Sequence, residues 1–453
     1  MRLMSAAKVI GGALVFLLPV AAAPGCVLRL NDKNEPLPNG GVTGPAANCA
    51  AITPEAKGVA GGDAVTKYVG RISLKDPKAP QLDWSGGIMN ARFEGTEVTW
   101  GAVSPDPLVK KEIIWEVVID GGPPEEVILP DYRQNENAPI TKKTHTLAPG
   151  VHEISVIRSS EAISGKVTLV PFTFGAGTKQ LPPYQRARRI EYIGDSITCG
   201  YGIEGPNATC PYDVEIRPGV RIPVTQNIVL SYASLVAKEL DADPVITCIS
   251  GKGVYLNYRE ANGKVIPLDP AARPDPDAET PVPKYWERLF AAPDDGPPAA
   301  EPWDFAKEPE PSVVVIALGQ NDFARDVNQN SITDYQEAAI PGIARFDPGT
   351  FGVEYKKFVQ AVRAKRPKAH IFLALSPMMT DKFPIDDGRT IFRNTLNALV
   401  QDLNGAGDTK VYFLELVEMG VRYGLGCDYH PNTKVHEIMA GQVAGAIRSK
   451  TCW

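Results

Sequence analysis

Gly194-Asp195-Ser196-Ile197-Thr198-Cys199-Gly200-Tyr201-Gly202 follows directly on the apolar stretch Ile190-Glu191-Tyr192-Ile193, so a strand runs straight into a glycine-flanked serine. A serine hydroxyl is a weak nucleophile until a neighbouring base takes its proton, and it must stand clear of the sheet to meet a carbonyl carbon. Gly194 removes a side chain just before the turn, and Gly200 and Gly202 free the backbone just after it. By itself the segment fits two readings: a nucleophile at a turn, or an ordinary strand-to-helix turn in which Asp195 or Ser196 caps the helix.

Downstream segments supply partners in a consistent order. Pro311-Ser312-Val313-Val314-Val315-Ile316-Ala317-Leu318 has the unbroken apolar pattern of a buried parallel strand and ends in Gly319-Gln320-Asn321-Asp322. An asparagine at the carboxyl end of such a strand lies at the crevice where open α/β sheets bind ligands. Val245-Ile246-Thr247-Cys248-Ile249 is a shorter strand ending in Ser250-Gly251-Lys252-Gly253. Near the C-terminus, Gly426-Cys427-Asp428-Tyr429-His430-Pro431-Asn432 places a histidine two residues after a carboxylate.

Together Gly194-Asp195-Ser196, the Gly251 turn, Gly319-x-Asn321-Asp322 and Asp428-x-His430-Pro431 resemble the four sequence blocks of the SGNH (GDSL) hydrolases. Within that superfamily the chain resembles the two-domain acetyl esterases of carbohydrate esterase family 2 over roughly residues 65 to 450. Pro283-Lys284-Tyr285-Trp286 and Trp303-Asp304-Phe305 add to that likeness. The resemblance implies Ser196 as nucleophile, His430 as general base, and an oxyanion hole made by the N–H groups of Ser196 and Gly251 and the amide of Asn321. Such donors act on charge that develops in the transition state, and loss of one costs on the order of 100- to 1000-fold in rate. The superfamily's acid lies three residues before the histidine, where this chain has Cys427. Asp428 then orients the imidazole either by its side chain, completing a triad, or by its backbone carbonyl, leaving a Ser–His dyad.

The other histidines, His145, His152, His370 and His436, sit in strand-like or helical segments without such neighbours, and His436 is six residues past His430, on another face of a helix. No C-x-x-C pair and no H-E-x-x-H occurs, so no metal is expected. Neither Gly200-Tyr201-Gly202 nor Gly251-Lys252-Gly253 matches a phosphate-binding loop, so no nucleotide cofactor is implied. A formal net charge of −6 provides no basic field for nucleic acid.

The elements that must position these residues fall into two halves. Residues 64 to 183 carry short alternating runs between turn signals, including 86–96, 112–122, 152–158 and 166–174, the pattern of a β-sandwich; the resemblance implies a jelly roll. From 184 to 453 apolar strands alternate with helical segments at 231–240, 354–365 and 389–404. That is βαβ organisation, a three-layer α/β/α domain on a mostly parallel sheet; the resemblance implies the flavodoxin-like SGNH fold. A Pro- and Asp-rich insertion at about 259–311 reads as loop, its Tyr285, Trp286, Trp303 and Phe305 either packing it down or lining a sugar cleft.

Residues 1–25 have the basic start, short apolar stretch and small-residue end of an export signal, and Gly25-Cys26 resembles a bacterial lipoprotein site, with lipidation at Cys26 the expected membrane contact. Residues 26–63, rich in Gly, Pro, Ala and Asn, read as a flexible tether. Of seven cysteines, six remain once Cys26 is set aside; a Cys199–Cys427 bridge between the serine and histidine loops is expected, with Cys199–Cys210 the local alternative. The expectation is an exported, lipid-anchored serine esterase removing acetyl groups from plant-type polysaccharide. The competing readings are a lipase or lysophospholipase of the same superfamily, and a non-catalytic glycan-binding surface lipoprotein.

Overall fold

The computed structural model describes residues 65–104, 112–132, 137–217, 220–258, 280–291, 301–325, 333, 346–420 and 423–453. The expected signal, Cys26 and the tether lie outside the described residues.

Eight strands, β1 (Thr66–Val69), β2 (Gln81–Leu82), β3 (Ile88–Val103), β4 (Ile114–Ile119), β5 (Glu125–Ile128), β6 (Lys142–Arg158), β7 (Val167–Phe174) and β8 (Lys179–Leu181), make an antiparallel β domain. The long strand β3 is its spine: one edge pairs with β6 and the other in turn with β1, β8 and β7. Register shifts at Gly95/Glu97 and Thr99/Gly101 are bulges that let so long a strand bend over its own core. Alternate inward side chains of β3, Met89, Ala91, Phe93, Val98, Trp100 and Ala102, fill that core with Trp115, Val117, Ile154 and Val156. The 86–96 and 152–158 runs are thus parts of strands of 16 and 17 residues.

The second half is a three-layer α/β/α sandwich. Its strands are β9 (Arg188–Gly194), β12 (Ala242–Cys248), β13 (Val313–Ala317), β14 (His370–Leu375) and β15 (Val411–Glu415), all parallel in the order β12-β9-β13-β14-β15; a small hairpin, β10 (Val214–Arg217) and β11 (Val220–Ile222), stands apart. The sheet is apolar on both faces because alternate residues serve different helix layers. Val314 and Ile316 pack with Phe351, Tyr355, Phe358, Phe392, Leu396 and Val400, from α5 (Pro348–Lys365) and α6 (Gly388–Gly405). Val313 and Val315 face Tyr232, Val236, Val435, Met439 and Val443, from α2 (Tyr232–Glu239) and α7 (Thr433–Thr451). Three one-turn helices, α1 (Ser196–Cys199), α3 (Val282–Tyr285) and α4 (Gln320–Phe323), are the remaining α-helices among the described residues.

The insertion is not all loop. Its described part holds α3 and a bridge between Arg288 and Pro302, with Tyr285 and Trp286 buried and Trp286 and Phe305 rings 4.5 Å apart. Its aromatics pack the segment down instead of lining a cleft. They do so against the β domain: the buried Arg71 guanidinium lies over Trp84, Trp303 and Phe305 and donates to the carbonyls of Trp286 and Arg288.

Candidate active site

Every motif residue sits at the carboxyl end of the parallel sheet. Chain order reverses around β9, since β12 adds on one side of it and β13 to β15 on the other, and that reversal opens the crevice. Ser196 begins α1 directly after β9, where the Asp195 side chain caps the helix by accepting from the Ile197 N–H. Both readings of the turn hold at once: Asp195 is the cap, which leaves the Ser196 hydroxyl free for chemistry. Gly194 has to be glycine, because a Cβ there would lie 1.9 Å from Thr198 Oγ1.

Ser196 Oγ is 2.9 Å from His430 Nε2, and His430 Nδ1 is 2.8 Å from the backbone carbonyl of Asp428. The carbonyl can only accept, so Nδ1 carries the proton and Nε2 is the free base facing the serine. Burial holds the His430 pKa below its ordinary value, and the Asp428 carbonyl partly opposes that. The Asp428 carboxylate points elsewhere and accepts from Tyr201 Oη at 3.2 Å. Asp428 therefore belongs to the site through its main chain and not, as a triad would require, through its acid. The cause is local: Asp428 and Tyr429 both have left-handed backbone, φ 51° and 56°, which turns the carbonyl inward and the side chain out.

The oxyanion donors come from three loops. The Gly251 N–H has no hydrogen bond among the described residues, and Gly251 itself has φ 74°. Asn321, only 7% exposed, donates to the Lys252 carbonyl at 2.9 Å and to Asp195 Oδ2 at 3.3 Å. Its amide has two hydrogens, so serving an oxyanion means releasing the longer contact. Burial pushes the Asp195 carboxyl up to about 8, which favours the neutral, weakly accepting form and eases that release. Asp322 collects the N–H groups of Val254, Tyr255 and Leu256, tying the β13 loop to the β12 loop. Gly253 permits this, since a Cβ there would press on the Asp322 carboxylate.

Two disulfides brace these loops, and neither is the expected one. Cys199 pairs with Cys248, joining α1 to the end of the adjacent strand β12, and Cys210 pairs with Cys427, joining the loop after α1 to the histidine turn. Cys199 closes α1 beside β12 instead of facing the histidine loop, so both the Cys199–Cys427 and Cys199–Cys210 pairings fail. The other four histidines have structural partners: Trp100 for His145, Asp120 for His152, Tyr412 for His370 and the Tyr232 N–H for His436. Among the described residues no cluster of three or more His, Cys, Asp or Glu gathers to hold a metal.

Sequence reasoning missed four residues. Tyr201, already inside the serine motif, lies with its ring centroid 4.2 Å from that of His430, and Tyr212 stacks on it at 3.7 Å. Tyr212 donates to Gln226, whose amide reaches the Cys199 carbonyl at 3.1 Å and Glu161 of the β domain at 3.5 Å. Nothing in the local sequence marks Glu161 or Gln226.

A serine and a base in hydrogen-bond contact, on the loops of a 2-1-3-4-5 parallel sheet, define a serine hydrolase of the SGNH type. Residues 192–438 match the model of the GDSL-like lipase/acylhydrolase family, and residues 68–183 match that of the carbohydrate esterase 2 N-terminal domain. The chain belongs to the GDSL-like lipase/acylhydrolase family, with the two-domain organisation of carbohydrate esterase family 2. It is 31% identical to the cellulase/esterase CelE of Acetivibrio thermocellus over 85% of its own length, but spans only 39% of that protein. It is 25% identical to an acetylxylan esterase / glucomannan deacetylase of Cellvibrio japonicus, covering 84% of this chain and 90% of that one. Among solved structures it resembles a family two carbohydrate esterase from Clostridium thermocellum in complex with cellohexaose, at 29% identity and TM-score 0.63 over 84% of this chain and 98% of that one. A Corynascus thermopiles carbohydrate esterase family 2 enzyme with a carbohydrate-binding domain matches at 28% identity and TM-score 0.66, over 86% of this chain and 100% of that one.

Proposed function

We propose that the protein is an O-acetyl esterase acting on acetylated plant-type polysaccharide through a covalent acetyl-enzyme. The observation that carries this is the Ser196 Oγ to His430 Nε2 contact at 2.9 Å, backed by the Asp428 carbonyl at 2.8 Å. Ser196 Oγ attacks the acetyl carbonyl while its proton passes to His430 Nε2. The Asp428 carbonyl stabilises the imidazolium through the Nδ1 proton. The N–H groups of Ser196 and Gly251 and the Asn321 amide take the oxyanion. Collapse breaks the acyl bond to the sugar oxygen, which takes the proton from His430. Water, deprotonated by the same imidazole, then releases acetate and restores Ser196. Tyr429, next to the base and 56% exposed, presents an aromatic face on which a sugar ring can rest.

The named relatives support an acetylated glycan as substrate. The Cys199–Cys248 and Cys210–Cys427 disulfides support the exported location inferred for the chain, since such bonds persist in oxidising compartments. The test is acetate release from acetylated xylan, glucomannan and pectin, alongside a 4-nitrophenyl ester series, by wild type and Ser196→Ala. Wild-type release with a preference for the acetyl ester is expected. No release from any polymer sinks the reading, and faster turnover of long acyl chains redirects it to lipids.

A further inference from the structure

Glu161 comes from the β domain yet lies against the oxyanion loop of the hydrolase domain. It is buried at 3% exposure and accepts two hydrogen bonds from Ser250, one from its backbone N–H at 2.8 Å and one from its hydroxyl. Ser250 immediately precedes Gly251, and holding both its N–H and its hydroxyl fixes the residue whose carbonyl shares a peptide plane with the Gly251 N–H. The Glu161 segment is itself anchored. The buried Arg158 donates to the carbonyls of Ser160, Glu161 and Gly165, Ser160 Oγ takes the Ile114 N–H, and Ser159 Oγ takes the Ile228 N–H.

A residue serving only to dock two domains would not need this chemistry. Two of the buried docking contacts elsewhere pair opposite charges, Lys67 with Asp243 and Arg71 with Glu191. Glu161 has no cation partner among the described residues, and burying a carboxyl without one is costly even when it is hydrogen-bonded. Burial pushes it up to about 7 although Ser250 pulls the other way. Its third contact, at 3.5 Å from Gln226 Nε2, leads on to the Cys199 carbonyl at the end of the nucleophile helix.

We propose that Glu161 is a positioning residue for catalysis: by gripping Ser250 from the neighbouring domain it aims the Gly251 N–H at the reacting oxygen. This rests on the serine-hydrolase reading of the site but not on which ester it cleaves. The role requires an acceptor for the Ser250 N–H and no charge; glutamine keeps that acceptor and its NH2 can donate to the Ser250 hydroxyl, so glutamine should replace glutamate.

The test compares wild type, Glu161→Ala, Glu161→Gln, Ser250→Ala and the docking control Lys67→Met. Two rates are read: turnover of 4-nitrophenyl acetate, and inactivation by diethyl 4-nitrophenyl phosphate. In the second, Ser196 Oγ bonds to phosphorus, 4-nitrophenolate leaves, and the serine proton goes to His430. Glu161→Ala is expected to lower kcat and the phosphorylation rate about 10- to 100-fold, with KM within about threefold, as for a displaced oxyanion donor. Glu161→Gln recovers to within about fivefold, Ser250→Ala loses about three- to tenfold, and Lys67→Met loses thermal stability alone. Unchanged kcat and phosphorylation per folded molecule in Glu161→Ala overturn the proposal; if that variant does not fold, unchanged rates in Ser250→Ala overturn it. Wild type that is phosphorylated but hydrolyses no acetyl ester sinks the esterase reading instead, and the phosphorylation rates still decide the role of Glu161.

Discussion

At the residue scale, what distinguishes the site is that its third member is a peptide carbonyl. Replacing Ser196 or His430 by Ala should cut kcat/KM by about 1000-fold or more, because the two act as one unit. Asp428→Asn, which tolerates the left-handed backbone and leaves the carbonyl in place, should stay within about fivefold of wild type. Assays on 4-nitrophenyl acetate check this, and a loss for Asp428→Asn equal to that of His430→Ala would restore a working side chain at 428. The pH profile follows from the base. His430 works only when neutral and its pKa is held down, so activity persists as pH falls and is lost only below about 6.5, the ordinary histidine value. A kcat/KM titration with its acid midpoint above that value would contradict a base whose pKa burial holds down. The serine and histidine were legible from their neighbours in sequence. The choice between carboxylate and carbonyl was not, because it depends on two φ angles that the letters Asp-Tyr do not encode.

At the element scale, the apolar strands and amphipathic helices were readable because each satisfies a simple period. The 354–365 pattern lies inside α5 and misses its first six residues, Pro348 to Val353, and the 389–404 pattern lies inside α6 and misses only Gly388 and Gly405 at its ends. Disulfide partners were not readable, since pairing depends on which loops meet in space: Cys199 meets the end of β12, and Cys427 meets the loop at Cys210. The two bridges should have different consequences. Breaking Cys199–Cys248 by serine substitution at both sites should lower stability by about 2–4 kcal/mol with kcat per folded enzyme nearly kept. Breaking Cys210–Cys427 releases the turn three residues before His430 and should also lower kcat, by roughly tenfold, as a small misplacement of the base does. Denaturation midpoints and steady-state kinetics on the two double mutants separate the effects; equal kcat losses would show that the bridges brace the site alike.

At the scale of the whole molecule, the two halves share buried groups. Glu191 on β9 is fully buried between Arg366 at 2.7 Å and Arg71 at 3.5 Å, and accepts from Trp286 Nε1. Burial alone would raise its pKa, but the two guanidinium groups hold it below the usual carboxylate range. Removing one partner of such a pair strands the rest, so Arg71→Met should cost about 3–5 kcal/mol, read as a lower melting temperature in calorimetry. The same sharing predicts that wild-type residues 65–453 unfold in one transition by both calorimetry and tryptophan fluorescence. Two resolved transitions would mean that the halves are independent. The sequence marked two domains by their periodicities, but a residue such as Arg71 reads as an ordinary surface cation until the fold buries it.

The loop Ser159-Ser160-Glu161 that reaches from the β domain to Ser250 bears on inheritance as much as on chemistry. A β domain that merely held sugar could be exchanged by recombination for another binding module without harm to the enzyme. One that grips the loop after β12 cannot, so a crossover near residue 184, even one that kept the Arg71–Glu191 pair, would still yield a poor catalyst. The unit that can move between genes is the pair.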